Sequence, residues 1–243
     1  MALKLLVFLA ACSGGKPHTA GVDDARHVVA TPPVAGDAAP AVASAVGDAA
    51  IHVAWKNVPI VDRTSPGRTP CNTPRAASVA PTTTWGVPDA FVMLDGAPAG
   101  VAQVVLADCA LSPRAAVGAS LIVASRAERP AQVALRERGT PEAPIEGKPI
   151  AIQLPIAGHA VSVALAPGKV YELAAGDETA WLVAARALVT DATGTTTWRD
   201  LPVGKHTITA WLPPRAGRPA KLAHGTVEVL VGALADATID LVP

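Results

Sequence analysis

Short apolar runs that alternate with small or polar residues dominate this chain beyond its first fifty residues. Val161, Val163 and Leu165 alternate with alanine and serine, and the same period of two recurs at 207–212 and 226–231. Successive side chains of a β-strand point to opposite faces of a sheet, so this period is typical of strands that bury one face. The pattern therefore predicts a fold built from many short strands.

Turn-forming residues separate these runs. Asp95-Gly96, Pro167-Gly168, Gly176-Asp177 and Val203-Gly204 all lie between apolar runs, where tight turns need residues of this kind. The stretch 180–189 has a composition that suits a helix, but it gives no helical stripe, and we interpret it as one or two strands. We expect an all-β sandwich, organised as one large or two small modules.

The N-terminus shows a different pattern, an apolar run followed by small residues and a cysteine. Lys4 precedes the run Leu5–Leu9, and Ala10-Ala11-Cys12 follows it, as in an export signal. Leu9-Ala10-Ala11-Cys12 resembles the lipobox of bacterial lipoproteins. The resemblance implies that residues 1–11 are a signal peptide and that Cys12 becomes a lipid-bearing N-terminus, with the membrane as its partner.

Residues 12–50 are rich in alanine and proline. Such a composition buries too little apolar surface to offset the entropy of ordering, so we expect a disordered tether after the lipidated cysteine. Ser13 stands where the best-known sorting rule places aspartate for inner-membrane retention, which favours the outer membrane of a bacterial envelope. The alternative is a cytosolic protein with a frayed apolar N-terminus, in which Cys12 is an ordinary thiol.

The charge balance argues against a nucleic-acid partner. Twenty basic and twenty acidic residues cancel, so there is no net positive charge to attract phosphates. Only five Trp, one Tyr and two Phe are present, so stacking platforms for bases or sugars are sparse.

Two cysteines remain once Cys12 is assigned to lipid. An even number in an exported protein favours a disulfide between Cys71 and Cys109, which would stabilise the fold by about 4 kcal/mol in the chain-entropy model. Two separate thiols are the alternative.

One segment of about twenty residues matches a known module. The sequence DATGTTTWRDLPVGKHTITAW, from Asp191 onward, resembles the carboxypeptidase regulatory-like segment. We interpret it as a hairpin in which Gly194 and Gly204 take positive φ, while Ile208 and Ala210 face a core.

The order of the pieces upstream is similar to that of periplasmic cupredoxin-like proteins of the methylamine-utilisation type. WGVPDAFVMLDGAPAG at 85–100 resembles an early strand and turn, LIVASRAERPAQVAL at 121–135 the stretch of the first copper histidine, and GDETAWL at 176–182 the ligand loop Cys-x-x-His-x-x-Met. The resemblance implies a cupredoxin-like or immunoglobulin-like β-sandwich over 51–186, followed by the regulatory-like segment over 187–243.

The copper ligands of that family are missing. A type 1 site needs a thiolate, two imidazoles and a weak axial ligand. The four corresponding positions hold Ala131, Gly176, Thr179 and Leu182. We therefore expect a scaffold without type 1 copper, other cofactors or electron transfer. The alternative is a metal-handling or electron-transfer protein with non-standard ligands.

No catalytic motif stands out elsewhere. The spacing of His159, His206 and His224 matches no metal motif, and we interpret all three as solvated turn histidines, with residual metal binding left open. No serine lies in a Gly-x-Ser-x-Gly elbow and no phosphate-binding glycine loop opens a helix, so we expect a protein that is not an enzyme.

Tryptophans are the candidates for a binding face. Trp181, Trp198 and Trp211 combine a large contact area with a polar N–H, although buried sandwich positions are the alternative. We expect a non-enzymatic, membrane-anchored envelope lipoprotein whose β-sandwich binds a protein or glycan partner or has a structural role.

Overall fold

The computed structural model describes residues 45–58, 85–215 and 219–241, and all regular secondary structure in these ranges is β. They belong to one compact unit, 43–243. In the ranges described, no helix is long and apolar enough to cross a membrane. The predicted signal peptide, Cys12 and Cys71 lie outside the described residues.

The described residues form sixteen strands, which are, in chain order, β1 (Val46–Ala54), β2 (Phe91–Met93), β3 (Val101–Ala107), β4 (Ala110–Ser112), β5 (Ala115–Val117), β6 (Ser120–Ser125), β7 (Ala131–Glu137), β8 (Ile150–Leu154), β9 (Ala160–Ala164), β10 (Val170–Ala175), β11 (Glu178–Val183), β12 (Ala187–Val189), β13 (Thr195–Pro202), β14 (Gly204–Leu212), β15 (Lys221–Val229) and β16 (Leu234–Asp240).

Strands from both ends of the described chain form the first sandwich, which we call the terminal sandwich. A three-stranded sheet of order β13-β1-β16 lies against a four-stranded sheet of order β12-β2-β14-β15. Their inner faces share one core, which includes Ile51, Val92, Ile208, Val229 and Ile239. Alternation along β1 explains the arrangement, because Ala49, Ile51 and Val53 are fully buried while the residues between them are not.

The strands between them form the inserted sandwich. Its sheets have the orders β5-β11-β10-β7-β8 and β4-β3-β6-β9, and they enclose a second core around Leu121, Leu135, Leu154, Leu173 and Leu182. The prediction of an all-β sandwich is confirmed, with two cores inside one compact unit.

The division of the sheets differs from the boundary predicted at residues 186 and 187. β1 pairs with β13 and β16, and β2 pairs with β12 and β14, so strands from before the boundary share sheets with strands after it. The regulatory-like segment therefore does not form its own sheets. Four of its five strands, β12, β13, β14 and β16, pair with β1 or β2, which satisfy backbone hydrogen bonds of theirs, and β15 pairs with β14.

The first strand also begins earlier than expected. β1 starts at Val46, inside the range 12–50 that the sequence assigns to a tether. Gly47, Asp48 and two alanines have low strand propensity, but β13 on one side and β16 on the other pair with this segment. Pairing on both sides outweighs the weak local preference.

The predicted hairpin within 191–211 is wrong, although its details are correct. Gly194 and Gly204 have φ of 81° and 133°, and Ile208 and Ala210 are fully buried. However, β13 and β14 belong to different sheets. The connection Pro202-Val203-Gly204 carries the chain from one sheet of the terminal sandwich to the facing sheet. Ile208 and Ala210 therefore enter the core from the side opposite β1.

Candidate functional site

An aromatic cluster joins the two sandwiches. The ring centroids of Trp181 and Trp211 are 5.6 Å apart in an edge-on arrangement, and Phe91 stacks on Trp211 at 5.5 Å. Trp181 belongs to β11 of the inserted sandwich, whereas Phe91 and Trp211 belong to β2 and β14 of the terminal sandwich. We call this contact, together with Ala115, the seam.

The seam exists because two strands bury both of their faces. On β14, Ile208 and Ala210 face the core of the terminal sandwich, while Trp211 faces the seam. On β11, Leu182 faces the core of the inserted sandwich, while Trp181 faces the seam. Strands buried on both sides form continuous apolar runs, as 180–183 on β11 does.

Two ion pairs accompany the seam, one from each sandwich. Arg114 Nη2 donates to Glu178 Oε2 at 3.4 Å, and Arg215 Nη2 donates to Asp89 Oδ2 at 3.4 Å and to the carbonyl of Pro88 at 3.3 Å. Glu178 is buried, with only 4% of its surface exposed, so Arg114 neutralises a carboxylate that is largely removed from water.

The positive charges of Arg114 and Arg215 also repel each other. Burial lowers the pKa of Arg215 below its ordinary value, Asp89 opposes that change, and the positive charge of Arg114 adds to it. Arg114 precedes β5 of the inserted sandwich, and Arg215 follows β14 of the terminal sandwich. Charged groups from both sandwiches therefore lie close enough to interact. The four charges cancel overall, so this arrangement suits the positioning of two modules better than the capture of a charged ligand.

Thr190 links the segments next to the seam. Its Oγ1 donates to the carbonyl of Val87 at 2.6 Å and accepts from the N–H of Ala90 at 2.9 Å, and the side chain is buried. These bonds hold the entrance to β2 against the end of β12. Thr190 was not singled out by the sequence, since a lone threonine at a strand end has no distinctive pattern.

The predicted tryptophan face is not a surface. Trp181, Trp198 and Trp211 are all buried, with 7%, 8% and 4% of their surface exposed. Trp181 and Trp211 fill the seam, and Trp198 lies in the core of the terminal sandwich beneath the Arg186 guanidinium, 5.3 Å from the ring centroid. Their contact area stabilises the fold and is not available to a partner.

Two indole N–H groups lack acceptors in this core. Trp55 Nε1 and Trp198 Nε1 are buried without a hydrogen-bond partner. Each ring instead has a cation above it, because Lys221 Nζ lies 4.5 Å from the Trp55 centroid and Arg186 covers Trp198. Cation–π contacts offset part of the cost of the unpaired N–H groups.

Three of the four positions that the resemblance equates with copper ligands lie at one end of a sheet. Ala131 begins β7, Gly176 lies in the turn between β10 and β11, and Thr179 follows that turn. β7 and β11 both pair antiparallel with β10, so these three positions meet at the same end. Leu182 lies three residues further along β11 and is fully buried.

The chemistry of these four positions does not fit a type 1 copper ion. Alanine, glycine and leucine have no donor atom in their side chains, and a threonine hydroxyl is a poor ligand for this metal. In the part of the chain that the structure describes, no three His, Cys, Asp or Glu side chains form a group that would hold a metal ion.

The structure does not bring the three histidines together. His206 on β14 pairs with Val227 of β15, and His224 on β15 pairs with Thr209 of β14, which places the two on opposite faces of their sheet. His206 Nε2 hydrogen-bonds the Pro202 carbonyl at 2.7 Å, and His224 Nδ1 lies 3.1 Å from Thr209 Oγ1. His159 is exposed in the turn before β9.

Cys109 forms a disulfide and lies at an exposed turn. Asp108 and Cys109 form the two-residue connection between β3 and β4, with φ of 48° and 60°. Positive φ at both positions is typical of the type I′ turn that matches the twist of a hairpin. The predicted partner, Cys71, lies outside the described residues, so the pairing with Cys71 stays a prediction.

A buried tyrosine hydroxyl connects the two sheets of the inserted sandwich. Tyr171 Oη accepts a hydrogen bond from the Ala166 N–H at 2.8 Å, and Ala166 lies between β9 of one sheet and β10 of the other. This hydrogen bond has the same geometry as the tyrosine corner known from immunoglobulin-type sandwiches, in which a tyrosine hydroxyl bonds to the backbone a few residues upstream. The signal in the sequence is the only tyrosine of the chain, three residues after a Pro-Gly turn.

The chain matches no protein-family model, no curated protein and no solved structure.

Proposed function

We propose that this protein is a non-enzymatic lipoprotein of the bacterial cell envelope, held at the outer membrane through lipid on Cys12. Its two β-sandwiches act as a binding or structural module for a protein or glycan partner. One observation supports the proposal above others: the sequence Leu9-Ala10-Ala11-Cys12 precedes an Ala/Pro-rich segment, and β1, the first strand described, starts at Val46 near the end of that segment.

The internal construction of the folded unit agrees with a structural or binding role. Most aromatic side chains among the described residues fill the cores and the seam, and the charged groups near the seam form ion pairs. Such an arrangement holds two modules in a constant relation, which favours presentation of a surface over a cycle of chemical steps.

Expression of the full chain in a bacterium with the lipoprotein pathway tests the anchor. We expect the protein in the membrane fraction, with an N-terminal peptide that begins at acylated Cys12. Cys12→Ser should release the chain from membranes, because two or more acyl chains are needed for stable anchoring. Cys71→Ser is the matched control, since it makes the same substitution at a different cysteine and should leave acylation at Cys12 unchanged.

An intact Met1 on the mature chain, or membrane association that persists in Cys12→Ser, would overturn the localisation. Copper analysis of untagged protein tests the remaining part of the proposal. Stoichiometric copper with a strong visible band would show that the scaffold handles metal through other ligands.

A further inference from the structure

One end of the terminal sandwich exposes a group of aliphatic side chains. Val46, Val203, Leu230, Val231 and Leu234, which we call the aliphatic tip, range from 36% to 68% exposed. The other large exposed hydrophobic residues among those described all lie in the inserted part of the chain, 101–156.

Backbone hydrogen bonds hold the three segments of the tip together. The Gly232 N–H donates to the Val46 carbonyl at 3.1 Å, and the Val203 N–H donates to the Ala45 carbonyl at 3.1 Å. Leu234 pairs with Asp48 in the β1–β16 ladder. The start of β1, the β13–β14 connection and the β15–β16 turn therefore form one continuous end of the sandwich.

Charges of both signs lie beside the tip. Lys205 faces Glu228 across the β14–β15 ladder, and Arg199 Nη1 lies 3.8 Å from Asp48 Oδ2. An aliphatic surface with charges of both signs beside it suits an interface of low charge rather than a strongly charged partner.

The position of the tip along the chain indicates what it faces. The chain enters the described fold at Ala45, beside Val46 and Val203, so the segment that leads back to Cys12 joins the sandwich at this end. Fully extended, residues 13–44 span at most about 110 Å, so chain length permits contact with the membrane without enforcing it.

We propose that the aliphatic tip contacts the surface of the lipid bilayer, with the terminal sandwich next to the membrane and part of the inserted sandwich directed away from it. This inference rests on the proposed function, because anchoring at Cys12 is what places a bilayer near the tip. Tethering raises the effective concentration of the surface, so weak aliphatic contacts suffice for association.

Site-specific labelling of the full lipidated chain tests the orientation. Val231→Cys and Ile156→Cys carry the same environment-sensitive dye, since the native residues are 68% and 64% exposed. The parent chain, treated identically, reports labelling of native thiols. The protein is reconstituted in phosphatidylethanolamine and phosphatidylcholine vesicles that contain a nitroxide headgroup lipid. We expect blue-shifted, quenched emission from position 231 and unchanged emission from position 156.

A second measurement removes the anchor. The Cys12→Ser chain should partition weakly into the same vesicles. Combining it with Leu230→Ser, Val231→Ser and Leu234→Ser should reduce the partition coefficient about tenfold or more, because several exposed methyl and methylene groups are lost. Ile150→Ser with Ile156→Ser is the matched control and should leave partitioning unchanged.

The outcomes separate the two proposals. A chain that is acylated and sediments with vesicles, but shows equal emission at positions 231 and 156, overturns the orientation and leaves the lipoprotein intact. A chain that is not acylated overturns the proposed function and the orientation with it. A blue shift at 231 that depends on protein concentration without vesicles assigns the tip to a second copy of the chain, against the bilayer.

Discussion

At the scale of single residues, the hydroxyl of Tyr171 is a buried polar group with one defined role. It accepts the Ala166 N–H across the corner between the two sheets of the inserted sandwich. Tyr171→Phe leaves that N–H without its acceptor, so we expect a loss of about 1–3 kcal/mol in the free energy of unfolding. Denaturant titration measures it. Ser162→Ala deletes a hydroxyl from the exposed face of β9 and should change stability by less than about 0.5 kcal/mol.

Tyr171 also predicts that the stability of the fold depends on pH in the alkaline range. Burial raises the pKa of Tyr171 above its ordinary value of 10.0, because the folded state disfavours the phenolate. The neutral phenol therefore makes its full contribution to the free energy of unfolding below the ordinary pKa. This contribution is lost as pH rises through the higher pKa of the folded state. Unfolding titrations between neutral and strongly alkaline pH should show a steeper decline for the wild type than for Tyr171→Phe. Parallel declines would contradict this assignment.

Asp191 predicts that the stability of the fold depends on pH in the acidic range. Its Oδ1 accepts from Thr193 N–H at 2.8 Å, Thr193 Oγ1 at 2.6 Å and Thr195 N–H at 3.1 Å. The Thr193 hydroxyl makes the largest contribution to lowering the pKa of Asp191 below 3.8. This stabilisation of the folded state is present above the ordinary pKa of Asp191. It is lost as pH falls through the lower pKa that Asp191 has in the folded state.

Asp191→Asn should therefore destabilise the fold near neutral pH by no more than about 1 kcal/mol, since Asp191 is exposed and water screens its charge, and it should flatten the acid limb of the stability curve. Asp177→Asn, in the exposed turn before β11, is the matched control and should have little effect at neutral pH. Equal effects of the two substitutions would show that the carboxylate of Asp191 has no special role.

At the scale of elements, Gly86 lets two segments approach each other. A Cβ added at Gly86 would lie 1.7 Å from the Thr193 carbonyl oxygen, and one at Gly194 would lie 2.4 Å from the Val87 nitrogen. This approach places the turn before β13 on β1, where the Val53 N–H donates to the Gly194 carbonyl at 2.8 Å.

Gly86→Ala should lower the free energy of unfolding by several kcal/mol, roughly the range for overpacking of a closed site plus a lost backbone contact. Gly168→Ala meets no atom within 4 Å but has φ of 75°, so it should lose only about 1–2 kcal/mol. Thermal and denaturant unfolding compare the two. A Gly86→Ala protein as stable as Gly168→Ala would mean that this approach is not required.

The elements also show which features local sequence encodes. The alternation in 160–165 and 207–212 predicts β9 and β14 correctly because alternate side chains of each strand pack against a core: Val161 and Val163 on β9, and Ile208 and Ala210 on β14. The strand partners were not predictable, because the pairing of β1 with β13 and β16 depends on residues far away in the chain. The hairpin interpretation failed for the same reason: positive φ at Gly204 indicates a sharp turn and does not specify which sheet receives the next strand.

At the scale of the whole molecule, the seam predicts that the two sandwiches unfold together. Trp211 is buried against Phe91 and Trp181, so Trp211→Ala should lower stability by about 3–5 kcal/mol. We also expect the single cooperative transition to separate into two, because the contact between the cores is weakened.

Amide hydrogen exchange followed through a denaturant series measures protection in each sandwich separately. Val229→Ala truncates a side chain in the core of the terminal sandwich, outside the seam, and should lower the midpoint while the transition stays single. Two transitions in the wild type, or one in Trp211→Ala, would show that the seam does not couple the sandwiches.

The sequence by itself determined the all-β class, the turns and the identity of many core residues, because alternation and turn chemistry are local properties. It also determined that Ala131, Gly176, Thr179 and Leu182 offer no copper ligand set, since this follows from residue type. Only the tertiary structure decided that Trp181, Trp198 and Trp211 are buried, that β1 and β2 join sheets with the last strands, and that five aliphatic residues meet at one tip. The physical reason is that burial and proximity arise from pairing between distant segments, and a period of two shows that a face is covered without showing what covers it.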